Sequence, residues 1–308
     1  MNVAEVNGGE VVRPTGDTRG DLLVGAYDTH IHAGPDIVPR SVDFLQTARE
    51  AAAAGMAGVV FKDVSQPTSD RAFAVNQSVP GLRAFGGIVL DHPVGGLNPL
   101  AVERCLKHGG RFVWMPVSHA RHTVALYEQG RLRMVNPPGL TREDAISLLD
   151  DEGELRPVVR EIVRLIAVHD AVLGTGHISP EEAIALVRQA RAAVVRRILV
   201  NHPSGYAVGA SIAQQQELAD LGAFMEHCYA QCTPGIDGLP VATIAEAIRA
   251  VGAARSILAT DLGQTFNPSP VAGLRRFLDD LRGEGIADTD LRLMVADNPG
   301  RLLEHLDV

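Results

Sequence analysis

Two histidines one residue apart are the first sign of chemistry in this chain. The segment Asp28-Thr29-His30-Ile31-His32 closes an apolar run that begins at Leu22. In a strand, residues i and i+2 point to the same face. His30 and His32 therefore face one side, with Thr29 and Ile31 on the other. Two imidazoles on one face can grip one divalent cation. Gly34-Pro35 then turns the chain away. Alone, this pattern also fits a solvated strand edge. Four further apolar runs end in the same manner, at Lys62-Asp63, Gly174-Thr175-Gly176-His177, Asn201-His202-Pro203 and Thr260-Asp261. A buried polar group is costly without a partner. Any one of these could be a satisfied core side chain, but their recurrence at equivalent places points to a shared cation.

The elements that must position them form a regular series. Apolar runs at 22–32, 56–64, 82–90, 111–117, 171–176, 197–200, 223–228 and 256–260 read as strands. Amphipathic stretches between them read as helices. The helix over 41–54 has Ser41 as N-cap, Asp43 in its first turn and Gly55 as its stop. Others cover 69–77, 99–107, 211–221, 241–251 and 288–305, with further helices opened by Pro157, by the capping box Ser179-Pro180-Glu181-Glu182 and by Ser269-Pro270. Strict alternation implies parallel strands joined by right-handed crossovers. Eight such units predict an α/β fold, a (β/α)8 TIM barrel; an open doubly wound sheet is the alternative. In such a barrel reactive groups collect at the C-terminal strand ends, where the polar residues above stand. The rhythm breaks after strand four, over 119–156, which contains Gly130, Pro137-Pro138-Gly139 and a small helix expected after Thr141. A connection this long reads as a lid-like insertion over the site. No linker or composition shift divides the chain, so 1–308 reads as one domain with an N-terminal extension over 1–20.

His-x-His on strand one, histidines on strands five and six and an aspartate on strand eight resemble the metal-dependent amidohydrolase superfamily. Ala296-Asp297-Asn298-Pro299-Gly300-Arg301-Leu302-Leu303 is similar to its C-terminal N-P-A-R-L-type signature. His-Ala-Gly-Pro-Asp at 32–36 and Gly-Gly-Ile-Val-Leu at 86–90 resemble a small branch of it. The resemblance implies that His30, His32 and Asp261 hold the more buried of two metal ions. His177 and His202 would hold a second, or His202 would touch substrate if one ion binds. Asp261 would also take a proton from the attacking water and pass it to the leaving group. Zinc is the expected ion, with manganese or ferrous iron suited to the same donors. A divalent cation pulls the pKa of water from about 15.7 toward ~7, and a nearby carboxylate can relay the proton. One departure stands out: relatives often bridge two metals with a carboxylated lysine or a glutamate on strand four, which here reads Phe112-Val113-Trp114-Met115-Pro116. The available lysine is Lys62 on strand two. It could be a bridging carbamate, a free amine holding a substrate carboxylate, or a partner of Asp63. Asp63, His92, His119, Glu226 and His227 are candidate substrate contacts, with His122, Arg40 and Arg121 behind them; Trp114 reads as core.

The resulting expectation is a hydrolase in which metal-activated water cleaves an amide, cyclic amide, imide or related carbonyl bond of a small molecule, a C–N bond other than a peptide bond. His202 would help stabilise the oxyanion. The alternatives are a decarboxylase or a lactonase or esterase using the same ligands, and a non-catalytic metal-binding protein. A structural zinc site closes all four positions, whereas five or six candidate ligands at a barrel mouth suggest an open one. The chain of 308 residues has 28 Lys and Arg against 37 Asp and Glu, a net charge of −9, and 4% aromatic residues. This composition disfavours nucleic-acid binding. No apolar run approaches the ~18–20 residues that span a bilayer, and 1–21 lacks a signal-peptide pattern. Cys105, Cys228 and Cys232 form no C-x-x-C pair or disulfide framework, which fits a reducing cytoplasm. Asn76-Gln77-Ser78 matches a glycosylation pattern that has no use there. Gly174-x-Gly176-x-x-Ser179 is an incomplete dinucleotide fingerprint with no acidic residue ending the next strand. Neither a G-x-S-x-G elbow nor a P-loop is present. Assembly is common among such barrels, so a homo-oligomer is expected.

Overall fold

The structure, a computed structural model, describes residues 20–132 and 139–304. The expected N-terminal extension, the Pro137-Pro138 stretch and the end of the last helix at His305 lie outside them. The chain alternates strands and helices almost throughout. The first half runs β1 (Tyr27–Ile31), α1 (Phe44–Ala53), β2 (Gly58–Phe61), α2 (Ser69–Ser78), β3 (Arg83–Phe85), β4 (Gly87–Val89), α3 (Pro99–Lys107), β5 (Phe112–Trp114) and α4 (Arg121–Glu128). The second half runs α5 (Pro157–Val168), β6 (Val172–Gly174), α6 (Pro180–Ala192), β7 (Arg197–Asn201), α7 (Ile212–Asp220), β8 (Phe224–Cys228), α8 (Val241–Val251), β9 (Ser256–Ala259) and α9 (Pro270–Gly283). The chain ends in α10 (Asp288–Arg292) and α11 (Asn298–Leu303), joined by a π-turn over Leu293–Asp297.

Every strand pairing is parallel, in the orders β1-β2-β3 and β4-β5-β6-β7-β8-β9. The expected third strand over 82–90 is divided at Gly86, so that β3 pairs with β2 and β4 with β5. Thr68 fills the break. Its hydroxyl donates to the Phe61 carbonyl at 2.7 Å, its amide donates to the Gly87 carbonyl at 2.9 Å, and its Oγ1 accepts from the Gly87 amide at 2.9 Å. A Cβ on Gly86 would lie 2.3 Å from the Thr68 carbonyl oxygen, so only glycine permits this approach. Counted as one interrupted strand, β3 and β4 give eight positions. The ring closes through a parallel bridge between Ile31 and Leu262 and two hydrogen bonds of 2.8 Å, Asp261 N–H to the His30 carbonyl and His32 N–H to the Leu262 carbonyl. A Cβ on Gly263 would sit 1.6 Å from the His32 carbonyl oxygen, so the seam depends on that glycine. The α/β barrel expected from the alternation is the observed fold.

Val60, Val89, Phe112, Trp114, Val172, Leu199 and Ile257 form one apolar cluster with Leu302 and Leu303, so α11 packs on the strand interior. Trp114 is core, as expected, stacked on Phe112 at 4.6 Å. Two larger clusters lie between strands and helices. The last helix is broken because Pro299 lacks the amide donor a continuous α-helix needs; the π-turn before it absorbs the mismatch. In the 119–156 segment the helix forms earlier than expected, as α4; 141–147 holds turns and a bridge between Ala120 and Ile146. This segment is anchored to α6 through one carboxylate. Glu182 completes the capping box with Ser179, and its Oε1 accepts from the Leu148 amide at 2.8 Å and the Ser147 hydroxyl at 3.0 Å. Among the described residues no helix is long and apolar enough to cross a membrane.

Candidate metal centre

β1 is not a regular strand. Its register against β2 shifts between Asp28 and Ile31, a bulge that puts two residues, Thr29 and His30, against one, Val60. Strict alternation therefore fails: Thr29 and His30 both reach Glu226, on β8. The bulge is pinned by Asp28, whose carboxylate accepts from the Thr260 amide at 3.0 Å and the Thr260 hydroxyl at 2.5 Å. Asp28 is buried, and burial pushes its pKa up to about 7.

Three donors converge at this seam. Nε2 of His30 lies 3.2 Å and Nε2 of His32 3.1 Å from Oδ1 of Asp261. A second pair stands beside them, with Nε2 of His177 and Nε2 of His202 3.1 Å apart. The His30 and His202 rings stack with centroids 5.8 Å apart, joining the two groups. Nζ of Lys62 lies 3.2 Å from Nε2 of His30 and is buried over the Trp114 ring. Both His202 and Asp261 hold left-handed backbones, at φ 27° and 54°. Non-glycine residues rarely adopt such φ values, which cost about 1–3 kcal/mol and collect at functional sites.

The donors fit divalent metal ions. Ligand atoms ~2.1 Å from a tetrahedral ion stand about 3.4 Å apart, close to the separations of both groups. The protonation states suit this use. Burial, then the nearby Arg40 charge, lowers the His32 pKa to about 4. Burial brings His202 to about 4 as well, and burial followed by the His202 charge holds His177 well below the ordinary imidazole value. These imidazoles are neutral at pH 7, the form a metal requires. Burial alone would raise the Asp261 pKa; His30 and His32 outweigh it and hold the carboxyl well below the usual carboxylate range. Burial also lowers the Lys62 pKa, against the opposing pull of Asp261 and Glu226. Among the described residues, Nδ1 of His32, His177 and His202 is buried without a hydrogen-bond partner, so no described protein group fixes the tautomer of these rings.

Glu226 sets the orientation of His30. It is fully buried, and its Oε2 accepts from Nδ1 of His30 at 3.0 Å and Nδ2 of Asn201 at 2.7 Å. Its Oε1 accepts from the Thr29 hydroxyl at 2.5 Å. Burial would raise its pKa, but the facing His30 ring and these hydrogen bonds keep it lowered and the group ionised. A proton fixed on Nδ1 of His30 leaves the Nε2 lone pair, beside Asp261 and Lys62, to face a cation, the carboxylate–histidine relay that orients metal ligands.

Residues 25–226 match the model of a family of unknown function (DUF6282). The chain belongs to this family. The matched stretch of DUF6282 holds His30, His32, Lys62, His177, His202 and Glu226, while Asp261 lies beyond it. No curated protein sequence matches the chain. Among solved structures, this DUF6282 member is similar in fold to an amidohydrolase from Pseudomonas aeruginosa, at 12% identity and TM-score 0.59 over 92% of this chain and 97% of that one. It is also similar to the probable dipeptidase PvdM from Pseudomonas aeruginosa, at 11% identity and TM-score 0.62 over 92% and 96%. A mutant PTE-like lactonase of Deinococcus radiodurans aligns at 15% identity and TM-score 0.57 over 92% and 97%. The amidohydrolase-type barrel signalled by the sequence is thus the fold this DUF6282 chain adopts.

Of the remaining sequence candidates, Arg40 lines the cavity, paired with Asp36, and the following stand elsewhere. Glu226, expected to touch substrate, lies behind His30 with no exposed surface. Asp63 points away into a buried ion pair with Arg71 at 2.6 Å and also accepts from Ser65. His227 is the next residue on β8 and bonds Ser256 at 3.3 Å, away from Glu226 and the ligand group. His92 and His119 form a ring pair of their own, 5.1 Å apart, next to buried Asp91, and His122 meets the Val208 carbonyl. None of these lines the cavity described next. Sequence reasoning assigned no role to Thr29, Asn201 and Gln231. Asn201 stands beside His202 at a strand end, and that position was the one available signal.

The centre opens into a cavity of about 170 Å3. His32, His177, His202 and Asp261 form its floor, and Ile37, Val38, Val64, Leu132, Ala207 and Ile236 supply apolar wall. Among the described residues of the 119–156 segment, only Leu132 reaches it. The volume is below the ~300–1,000 Å3 of sites for drug-sized ligands. Nε2 of Gln231 donates to Oδ2 of Asp261 at 3.2 Å. One oxygen of that carboxylate thus faces the histidines while the other is steadied from the cavity side.

Proposed function

We propose that this protein is a metal-dependent hydrolase that uses water to cleave an amide, cyclic amide, imide or related carbonyl bond of a small molecule. The observation that carries this reading is the convergence of His30, His32 and Asp261, with His177 and His202 beside them, at the mouth of a parallel barrel and open to a cavity. Likeness in fold to an amidohydrolase, a dipeptidase and a lactonase supports the same class. A bound divalent ion, zinc first, would supply a Lewis acid that acidifies water to a pKa of ~7 and polarises the carbonyl. His30, His32 and Asp261 would hold one ion, and His177 and His202 a second.

The chain's own groups account for the proton traffic. Asp261 is ionised and stands between the histidines and Gln231, so Oδ2 can take the proton of the attacking water. The same carboxyl then gives that proton to the departing nitrogen or oxygen. His202, neutral and lining the cavity, is placed to hydrogen-bond the oxygen that gains charge. Lys62 is the candidate bridge between the two ligand groups. Its lowered pKa favours the neutral amine, the form that adds carbon dioxide to become a carbamate.

Metal analysis with a hydrolase panel tests the reading. Purified protein should carry one or two equivalents of a divalent metal and release product from amide or lactone substrates in a chelator-sensitive way. Intact mass should show a carbon dioxide adduct lost on Lys62→Ala. Failure to bind any divalent metal at neutral pH would sink the proposal.

A further inference from the structure

The cavity wall is one-sided in its charge. Arg40 is the only lysine or arginine among the described residues that line it, and Asp36 occupies it with two contacts of 2.8 and 2.7 Å. An anionic substrate group therefore meets no free side-chain cation there. Asp237 is the converse case. It lines the cavity, and among the described residues its Oδ2 accepts only the Tyr206 amide at 2.9 Å. Among the described residues it has no cationic partner. Gln231 adds a second acceptor. The residue is 4% exposed, and while its Nε2 is committed to Asp261, its buried Oε1 has no hydrogen-bond partner among the described residues. Asp237 and Gln231 flank one glycine: a Cβ on Gly205 would lie 3.2 Å from Oδ2 of Asp237 and 2.8 Å from Cγ of Gln231. A buried acceptor left without a donor costs about 1–3 kcal/mol. Gln231 Oε1 without a donor and a part-buried Asp237 carboxylate that holds a single amide suit a ligand that only donates, and an ammonium group has three donors and no acceptor.

We propose that Asp237 and Gln231 form the receptor for a cationic amino group, so that this site takes small molecules carrying an ammonium next to an apolar chain. The inference rests on the metal-dependent hydrolase reading for its reaction, but not for its binding. The apolar wall of Ile37, Val38 and Ile236 takes the chain, and the amino group lies on the Asp261 side of the cavity. Burial raises the Asp237 pKa against the Tyr206 amide bond that lowers it, so an arriving cation meets a carboxylate with no cationic partner among the described residues.

The test compares L-leucinamide with N-acetyl-L-leucinamide on the metal-loaded full chain. Both share the side chain and the scissile amide. Acetylation keeps an N–H donor and removes the charge. Binding is read by calorimetry, ammonia release by coupled assay, and metal content in parallel. Wild type should bind leucinamide at least tenfold more tightly. Asp237→Asn keeps an acceptor for the Tyr206 amide and should bring the two affinities within threefold, with unchanged metal content and melting temperature. Equal affinities in wild type, a preference that survives Asp237→Asn, or no binding of leucinamide at millimolar concentration would each overturn the proposal. A leucinamide preference in protein that binds no metal would sink the hydrolase reading and leave this one standing. Metal binding without the preference would do the reverse.

Discussion

Replacing Glu226 by glutamine isolates the charge behind His30. The carboxylate has no exposed surface and accepts three hydrogen bonds, two on Oε2 and one on Oε1. A glutamine can place its carbonyl where Oε2 stands, keeping the bonds from His30 and Asn201. Its amide group then faces the Thr29 hydroxyl, which can turn to accept. Tautomer and ring position survive, and the negative charge goes. Partners that orient a ligand histidine are typically worth 10–100-fold in metal affinity, or about 1.4–2.8 kcal/mol. Alanine is a poorer probe. It strands three buried donors at about 1–3 kcal/mol each, a loss comparable with the whole ~5–15 kcal/mol stability of a domain. The assay is competition of zinc-loaded protein with a chromogenic chelator, alongside circular dichroism and urea unfolding. Glu226→Gln should lose zinc 10–100-fold more readily with its fold intact. An affinity within threefold of wild type would refute the claim that this carboxylate tunes His30.

Three further outcomes follow from the same geometry. Asp261→Asn should abolish turnover of any substrate found while leaving the circular dichroism spectrum unchanged; an active variant would remove Asp261 from the proton relay. Arg71→Ala strands the Asp63 carboxylate, whose side chain has no exposure, and should cost about 3–5 kcal/mol in urea unfolding, partly recovered by adding Asp63→Asn; a loss below about 1 kcal/mol would contradict a buried pair. Acid should destabilise the metal-free protein through His202 and His227, which burial lowers to about 4 from an ordinary 6.5. Their folded forms bind a proton less readily than the unfolded chain, so stability falls with pH between 6.5 and 4. The loss between about pH 7 and about pH 5 is about 2 kcal/mol per histidine. A urea midpoint that stays flat across that window would contradict these burials.

Much of the site was legible because strand ends in a repeating βα chain are equivalent places. His30, His32, Lys62, His177, His202 and Asp261 each follow an apolar run, and the structure brings all six to one end of the barrel. What the pattern could not give was direction. Asp63 follows Lys62 at the same strand end, yet it turns outward to Arg71. Glu226 looked like a cavity residue and sits behind His30 instead, because the β1 bulge rotates His30 toward β8. The break at Gly86 was hidden because it depends on Thr68, eighteen residues earlier in the chain, reaching into the ladder.

Sequence by itself determined the class of fold and the kinds of atom available, since apolar period and strand-end polarity are local properties of neighbouring residues. Tertiary structure alone decided which nitrogen of His30 faces the ligand group, which carboxylates are spent on protein partners, and which acceptors, at Asp237 and Gln231, are left open. Those outcomes hang on register and seam contacts between residues up to 232 positions apart, as in the Asp28–Thr260 bond that pins the bulge. Contacts of that span are set by packing the whole ring at once, and no local pattern encodes them.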